Sequence, residues 1–139
     1  YRDERAAVSF NLYPNPIGLL TEYNWGRGPQ YNPVNDSIEV KNLRGGYATL
    51  YGRIKSKTKK DMFFFPYTRV QQYEGGKKHE LDARSYNVKE IEMGVEWQMN
   101  RFFEITAAYT ISKRRFEDSK LRENYQQGNL LRLQAQLNF

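Results

Sequence analysis

The sequence predicts an all-β fold, an antiparallel transmembrane β-barrel, and three observations predict it. Apolar and polar residues alternate with a period of two along several segments, which gives a strand one oily and one wet face. The connections between these segments alternate between short and long, as in outer-membrane barrels. Aromatic residues make up 15% of the chain although its mean hydropathy is −0.87, and interfacial aromatic girdles would use them.

The final segment, residues 129–139, shows the alternation most clearly. Its apolar residues are Leu131, Leu133, Ala135, Leu137 and Phe139, and a polar residue follows each of the first four. A soluble sheet seldom exposes such a strand, whereas a barrel wall turns it toward lipid. The pattern also resembles the signal that bacterial outer-membrane barrels present to their assembly machinery. We therefore expect Leu133, Ala135, Leu137 and Phe139 to form that signal.

The same rule assigns six earlier strands and the connections between them. The strands are 6–13, 17–27, a stretch within 38–54, 62–73, 88–98 and 102–112. The short connections are 14–16, 56–61 and 99–101, and the long ones are 28–36, 75–87 and 113–128. The facing of 62–73 is ambiguous because Phe63, Phe64 and Phe65 occupy both faces. Arg69 is assigned inward, because an arginine at the bilayer midplane would cost ~2–4 kcal/mol. Gly45, Gly46 and Gly52 are expected to mark bends or bulges.

The strand count bears on the domain organisation. An up-and-down chain of about seven strands cannot close with both ends on one side, and bacterial single-chain barrels have even strand numbers. We therefore expect residues 1–139 to be one barrel segment, the C-terminal portion of a larger barrel. With Phe139 in the periplasm, every short connection is periplasmic. An outer-membrane protein needs a secretory signal, and the sequence starts without one, so we expect a processed or truncated chain.

The alternation divides the candidate site residues between two faces. The residues expected to face lipid are Ile91, Met93, Val95, Trp97, Phe103, Ile105, Leu133 and Leu137. The residues expected to line the pore are Lys41, Arg53, Arg69, Arg132, Glu22, Glu92, Glu96 and Glu104. This wall is mixed in charge, whereas an anion filter would use arginine or lysine without neighbouring glutamate.

Three segments resemble the phosphate-selective porin O and P family. They are FPYTRVQQYEGGKKHELDARSYNVKEIEMGVEWQMNRFFEITAAYTIS, SFNLYPNPIGLLTEYNWG and the closing LLRLQAQLNF. The most specific part is the run from Glu92 to Trp97, which a short turn and an alternating strand follow. The resemblance implies a sixteen-stranded outer-membrane channel, usually trimeric, that passes anions such as phosphate or polyphosphate.

The charged candidates allow two interpretations each. Glu92 and Glu96 lie ~13 Å apart on one face and could form a cation site or a catalytic pair, but we favour two residues of a wet lumen that pair with nearby arginine. Arg53, Arg69 and Arg132 form either a basic ladder that guides anions or cross-strand partners of those glutamates. Both alternatives stay open.

Three other features have a special and an ordinary interpretation. His79 is the only histidine and the chain has no cysteine, so a solvated loop residue is favoured over a metal ligand or triad base. Trp25 and Trp97 are interpreted as interface anchors rather than sugar-stacking platforms. The cluster of Lys113, Arg114 and Arg115 could bind lipopolysaccharide phosphates or be an ordinary run of loop charges.

The net charge of +6 is compatible with nucleic acid, anionic lipid or an anionic solute. We expect a passive channel of the bacterial outer membrane, without enzymatic activity, cofactor, metal or nucleic-acid partner. The expected partners are outer-membrane lipid and lipopolysaccharide, two further copies in a homotrimer, and the barrel-assembly machinery. The alternatives are an outer-membrane barrel that scaffolds a surface complex and a soluble β-barrel that binds a ligand, with its apolar face inside.

Overall fold

The computed structural model describes residues 2–77, 83–119 and 122–138, and the regular elements within these ranges are all β-strands. Alternating apolar and polar residues, many of them aromatic or β-branched, favour this conformation. The strands are β1 (Glu4–Leu12), β2 (Ile17–Asn32), β3 (Ser37–Gly52), β4 (Ile54–Lys55), β5 (Phe63–Gly76), β6 (Ser85–Asn100), β7 (Phe103–Ser119) and β8 (Arg122–Leu137). No helix in the described ranges has the length and apolar character needed to cross a membrane.

The strands form one antiparallel sheet in the order β1-β2-β3-β5-β6-β7-β8, and the two-residue β4 pairs with β5. Each main strand therefore lies beside its neighbour in the chain, which is the up-and-down arrangement of a meander. β1 and β8 are the two edges of this sheet, so the described part is open. The predicted all-β antiparallel class is confirmed, and seven strands follow the main path.

The predicted strands are present, but they are longer than the sequence pattern indicates. Residues 28–32 continue β2, residues 113–119 continue β7, and β8 begins at Arg122, so the prediction of long loops at 28–36 and 113–128 was wrong. The predicted loop 75–87 is likewise shortened, because β5 continues to Gly76 and β6 starts at Ser85. The extensions carry polar residues on both faces. Backbone pairing between strands therefore continues beyond the point at which the alternation of apolar and polar residues ends.

The connections between strands lie at the two ends of the sheet. At the short-turn end, residues 13–16, 56–62 and 101–102 join neighbouring strands. Asn100 closes the last of these turns, because its Oδ1 accepts hydrogen bonds from the backbone N–H groups of Phe102 (2.8 Å) and Phe103 (3.0 Å). At the opposite end, which we call the distal end, residues 33–36 join β2 to β3.

Glu39 organises the connection at the distal end between β2 and β3. Its carboxylate accepts hydrogen bonds from the side-chain amides of Asn35 (2.7 Å) and Asn32 (3.0 Å). These bonds favour the charged form and lower the pKa of Glu39 below its usual value, the bond from Asn35 being the largest cause. The hairpin tip is thus held by polar side chains rather than by an apolar core.

The register assigns every main strand a polar and an apolar face, since directly opposite residues share a face. Arg69 pairs with Glu92, and Glu92 pairs with Thr110, all on the polar face. Trp97 pairs with Ile105, and Ile105 pairs with Ala135, on the apolar face. Two consistent faces therefore run across the sheet.

The apolar face is the exposed one. Among the described residues, only Leu43, Ala83 and Ala108 are buried hydrophobic residues. On the apolar face, Leu133 is 72% exposed and Met93 is 49% exposed. A soluble domain would bury these side chains in a core, whereas this sheet exposes them.

Two uncertain points of the sequence pattern are resolved by the register. Phe64 lies on the apolar face and stacks on Trp97 with ring centroids 5.7 Å apart, whereas Phe63 and Phe65 stack on each other on the polar face. The described register shifts lie at Gln98/Asn100 and Glu117/Ser119. The prediction of bulges at Gly45, Gly46 and Gly52 was therefore wrong, and that of bends at these glycines stays a prediction. A Cβ at Gly45 would lie 2.8 Å from the Tyr73 ring, so close packing requires this glycine.

Candidate pore lining

The polar face carries the predicted pore-lining residues. Arg69 of β5 and Glu92 of β6 are directly opposite each other, and Arg132 of β8 lies one row nearer the short-turn end. The structure places Glu22, Lys41, Glu96 and Glu104 on the same face. Arg53 lies between β3 and β4, beside Phe63 of that face. The predicted pore-lining residues thus share one face of the sheet, but each of them contacts different side chains.

Glu92 is the centre of a polar cluster. Its Oε1 accepts a hydrogen bond from the Tyr67 hydroxyl (3.0 Å), and its Oε2 accepts one from the Thr110 hydroxyl (2.9 Å). Arg132 reaches the same carboxylate from β8 with an Nη2–Oε1 distance of 3.5 Å. These contacts join four strands, so Glu92 is held in one position and its charge is opposed by that of Arg132.

Glu90 forms a second cluster, one pleat nearer the distal end. Its carboxylate accepts hydrogen bonds from Ser112 (2.7 Å), from Arg114 (2.7 Å) and from the Gln71 amide. Arg114 also donates to the Ser112 hydroxyl at 3.0 Å. The Glu90 side chain is 12% exposed and that of Glu92 is 23% exposed, so the carboxylate of Glu90 is the more enclosed one.

Sequence reasoning missed Arg114 as a site residue because it assigned residue 114 to a loop. The signal was present: Thr110, Ser112 and Arg114 are polar at every second position and continue the polar face of β7. The apolar residues between them end at Ile111, which hid the strand. Polar periodicity alone would have extended the strand to Arg114.

Arg69 and Arg53 lie against aromatic rings. The Arg69 guanidinium lies 4.5 Å from the centroid of the Tyr47 ring, and that of Arg53 lies 4.7 Å from the centroid of the Phe63 ring. Neither forms an ion pair within the described ranges. A cation over a ring keeps its full charge and gains ~0.5–2 kcal/mol, depending on how far it is desolvated. Of the three arginines, Arg132 is therefore a cross-strand partner of Glu92, whereas Arg69 and Arg53 form no ion pair with the glutamates of the described residues.

Small residues make room for the cross-strand contacts. Tyr67, Gly94, Ala108 and Arg132 lie opposite one another in one row across β5 to β8. A Cβ at Gly94 would come within 2.7 Å of the Tyr67 ring and hydroxyl. The Tyr67 ring therefore lies over Gly94, and its hydroxyl accepts a long hydrogen bond from Arg132 (3.5 Å). A depression of about 210 Å³ between this row and Glu90 is lined by Arg69, Gln71, Glu90, Glu92, Thr110 and Arg132.

Glu96 and Glu104 are a separate acidic group near the short-turn end. Within the described residues neither of them forms an ion pair. The interpretation that the glutamates of β6 pair with nearby arginine is thus correct for Glu92 and wrong for Glu96, because no arginine of the facing strands lies at that level. Within the same ranges, no group of acidic or histidine side chains could hold a metal ion.

The apolar face carries every residue expected to face lipid. Ile91, Met93, Val95 and Trp97 follow one another on β6, and the others belong to β7 and β8. Val95 is 36% exposed and Leu137 is 63% exposed. Leu133, Ala135 and Leu137 lie on this face too, and their function as an assembly signal stays a prediction. Phe139 and His79 lie outside the described residues.

A family model, that of the phosphate-selective porin O and P, matches residues 1–139, the whole chain. The chain belongs to this family. No curated protein and no solved structure matches the chain significantly. The family is one of bacterial outer-membrane channels rather than enzymes, and it accounts for the arrangement of the two faces. A porin wall needs polar groups toward its aqueous lumen and apolar groups toward lipid.

Proposed function

We propose that this chain forms part of the wall of a passive, water-filled channel in the bacterial outer membrane. The channel passes small hydrophilic solutes, including anions of the phosphate type. In this proposal the polar face lines the lumen, the apolar face meets lipid, and the short-turn end lies in the periplasm.

One observation carries the proposal: charged and hydrogen-bonded side chains cover one face of the sheet while large apolar side chains are exposed on the other. Arg114–Glu90 and Arg132–Glu92 lie on the polar face, and Leu133 is 72% exposed on the other. The apolar residues from Trp97 to Ile91 follow one another along about 20 Å of β6. A soluble barrel would need the opposite arrangement.

The electrostatics of the wall support a modest effect on anions. Glu92 and Glu90 are each compensated by an arginine, whereas Arg69 is not ion-paired within the described residues. In water, a unit charge attracts a counter-ion at 4 Å by ~1 kcal/mol. A phosphate-like anion would therefore be enriched about fivefold beside Arg69. Glu96 and Glu104 act against this attraction nearer the short-turn end.

Single-channel conductance in planar bilayers tests the channel directly. We expect ohmic conductance from the purified protein and a reversal potential in a salt gradient that indicates anion preference. Arg69→Gln should reduce this preference, and Glu92→Gln should increase it because Arg132 loses its counter-charge. Arg101→Gln, in the turn between β6 and β7, removes one positive charge outside the wall and should leave the preference unchanged.

The possible results separate the parts of the proposal. Correctly folded protein that gives no conductance would contradict the channel and favour a scaffold with a closed lumen. A cation-selective reversal potential would contradict the anion preference alone. Equal effects of Arg69→Gln and Arg101→Gln would show that Arg69 does not face the permeation path.

A further inference from the structure

The distal end of the apolar face carries a pair of lysines that β6 and β7 place side by side. Lys89 and Lys113 are directly opposite in the register, and both are exposed. Like charges in this position repel each other and weaken strand pairing. Within the described ranges, neither ammonium group lies in an ion pair with a carboxylate.

The sequence cluster of Lys113, Arg114 and Arg115 does not form one patch. Because side chains alternate along β7, Arg114 lies on the polar face with Glu90, whereas Lys113 and Arg115 lie on the apolar face. Lys89, twenty-four positions earlier in the sequence, takes the place beside Lys113. The prediction of an ordinary run of loop charges was therefore wrong, since these residues belong to a strand.

Lys89 and Lys113 lie directly beside the apolar residues of their strands. Ile91 is the next residue toward the short-turn end on the same face as Lys89, and Ile111 is the next one from Lys113. A step of two residues along a strand is about 7 Å. The two ammonium groups therefore follow directly on the apolar stretch, at the level where lipid headgroups begin.

Other cations at this end of the same face have acidic neighbours. Arg44 forms an ion pair with Glu74 at 3.0 Å, and Arg27 is opposite Glu4 in the register. Among the directly opposite pairs of the described part of this face, Lys89 and Lys113 form the one that joins two cations. A depression beside them is lined by the two lysines and by Asn87, Arg114, Arg115, Tyr125, Gln126 and Gln127. It offers hydrogen-bonding groups and an aromatic ring to a phosphorylated sugar.

We propose that Lys89 and Lys113 bind a phosphate group of the glycolipid in the outer leaflet, that is, the phosphorylated sugar headgroup of lipopolysaccharide. A shared phosphate would remove the repulsion between the two lysines and anchor the barrel at its distal rim. The proposal rests on the membrane orientation given under the proposed function. It does not need the channel to conduct.

Binding of lipid A to the purified protein in detergent tests the proposal. Lys89→Gln/Lys113→Gln should weaken binding of bisphosphorylated lipid A about tenfold. Lys59→Gln/Lys60→Gln, in the turn between β4 and β5, removes the same charge at the other end and should bind like the unchanged protein. Lys89→Arg/Lys113→Arg keeps both charges and should retain most of the binding. Heat-modifiable migration in gel electrophoresis verifies that each variant is folded.

Three outcomes would overturn the proposal. They are equal binding by the two glutamine double variants, equal binding of dephosphorylated lipid A, and displacement of lipid A by inorganic phosphate at the same concentration. The last result would indicate a site for free anions instead of lipid. Conductance of the Lys89→Gln/Lys113→Gln variant should equal that of the unchanged protein, so a failure of the channel proposal is distinguished from a failure of this one.

Discussion

Replacing Met93 by arginine puts a cation at the middle of the apolar face. Met93 is 49% exposed and lies four residues from Trp97 and four from Lys89 on β6, about 13 Å from each along the strand. An arginine on the lipid face of an outer-membrane barrel costs ~2–4 kcal/mol at the midplane and ~0–1 kcal/mol near the interfaces. Met93→Arg should therefore lower the free energy of unfolding by about 2–4 kcal/mol.

The neighbouring positions supply graded controls. Val95→Arg, one pleat nearer Trp97, should cost less than Met93→Arg because the arginine can reach the interface. Glu96→Gln, on the polar face, should change the free energy of unfolding by less than about 0.5 kcal/mol. Urea titration of the protein folded into lipid vesicles measures all three values. A cost for Glu96→Gln equal to that of either arginine variant would refute the assignment of the faces.

Three further predictions concern local packing and the turns. Gly94→Val forces the Tyr67 ring away from the strand, so it should break the hydrogen bond to Glu92 and change single-channel conductance, while Ala107→Val on the opposite face should not. Asn100→Ala removes two hydrogen bonds from the β6–β7 turn and should lower the free energy of unfolding by about 1–2 kcal/mol in a urea titration. The pKa of Glu39 is lowered in the folded state, so its stabilisation of the distal turn is present above the unfolded value of 4.5 and is lost as the pH falls through the lower folded value. The rate of limited proteolysis at this turn should therefore be the same at pH 7 and pH 6 and should increase as the pH falls below the unfolded pKa. A rate that increases toward neutral pH would contradict a lowered pKa of Glu39.

The faces of the sheet could be predicted from the sequence because a strand has a period of two. Once Glu92 and Val95 are assigned to opposite faces, the alternation fixes the face of each remaining residue of β6. The register of β5 and β7 agrees with that assignment. The low overall content of apolar residues did not hinder this prediction, because the apolar face is recognised by the spacing of its residues and not by their number.

The ends of the strands could not be predicted, because the alternation of apolar and polar residues stops before the strands end. Lys113 and Gln127 pair through their backbones in β7 and β8, although the apolar alternation of β7 ends at Ile111 and that of β8 begins at Leu131. Arg114 was lost from the candidate site for this reason. Backbone hydrogen bonding between strands leaves little trace in the side chains.

The partners of the charged residues could not be predicted from the sequence either. Arg69 is directly opposite Glu92 in the register, and an ion pair between them would be the natural expectation. Instead Arg132 reaches Glu92 from two strands away, and Arg69 lies over the Tyr47 ring. Which arginine binds which carboxylate depends on the space above Gly94 and Ala108, and spacing along one strand does not contain that information.

The most direct measurement of the central claim is the accessibility of consecutive positions on β6 in a lipid bilayer. The chain contains no cysteine, so single cysteines at positions 91 to 96 can each carry a spin label. Labels at Ile91, Met93 and Val95 should collide with dissolved oxygen, and labels at Glu92 and Glu96 should collide with a water-soluble nickel chelate. The opposite alternation, or equal accessibility along the strand, would contradict a sheet with lipid on one face and water on the other.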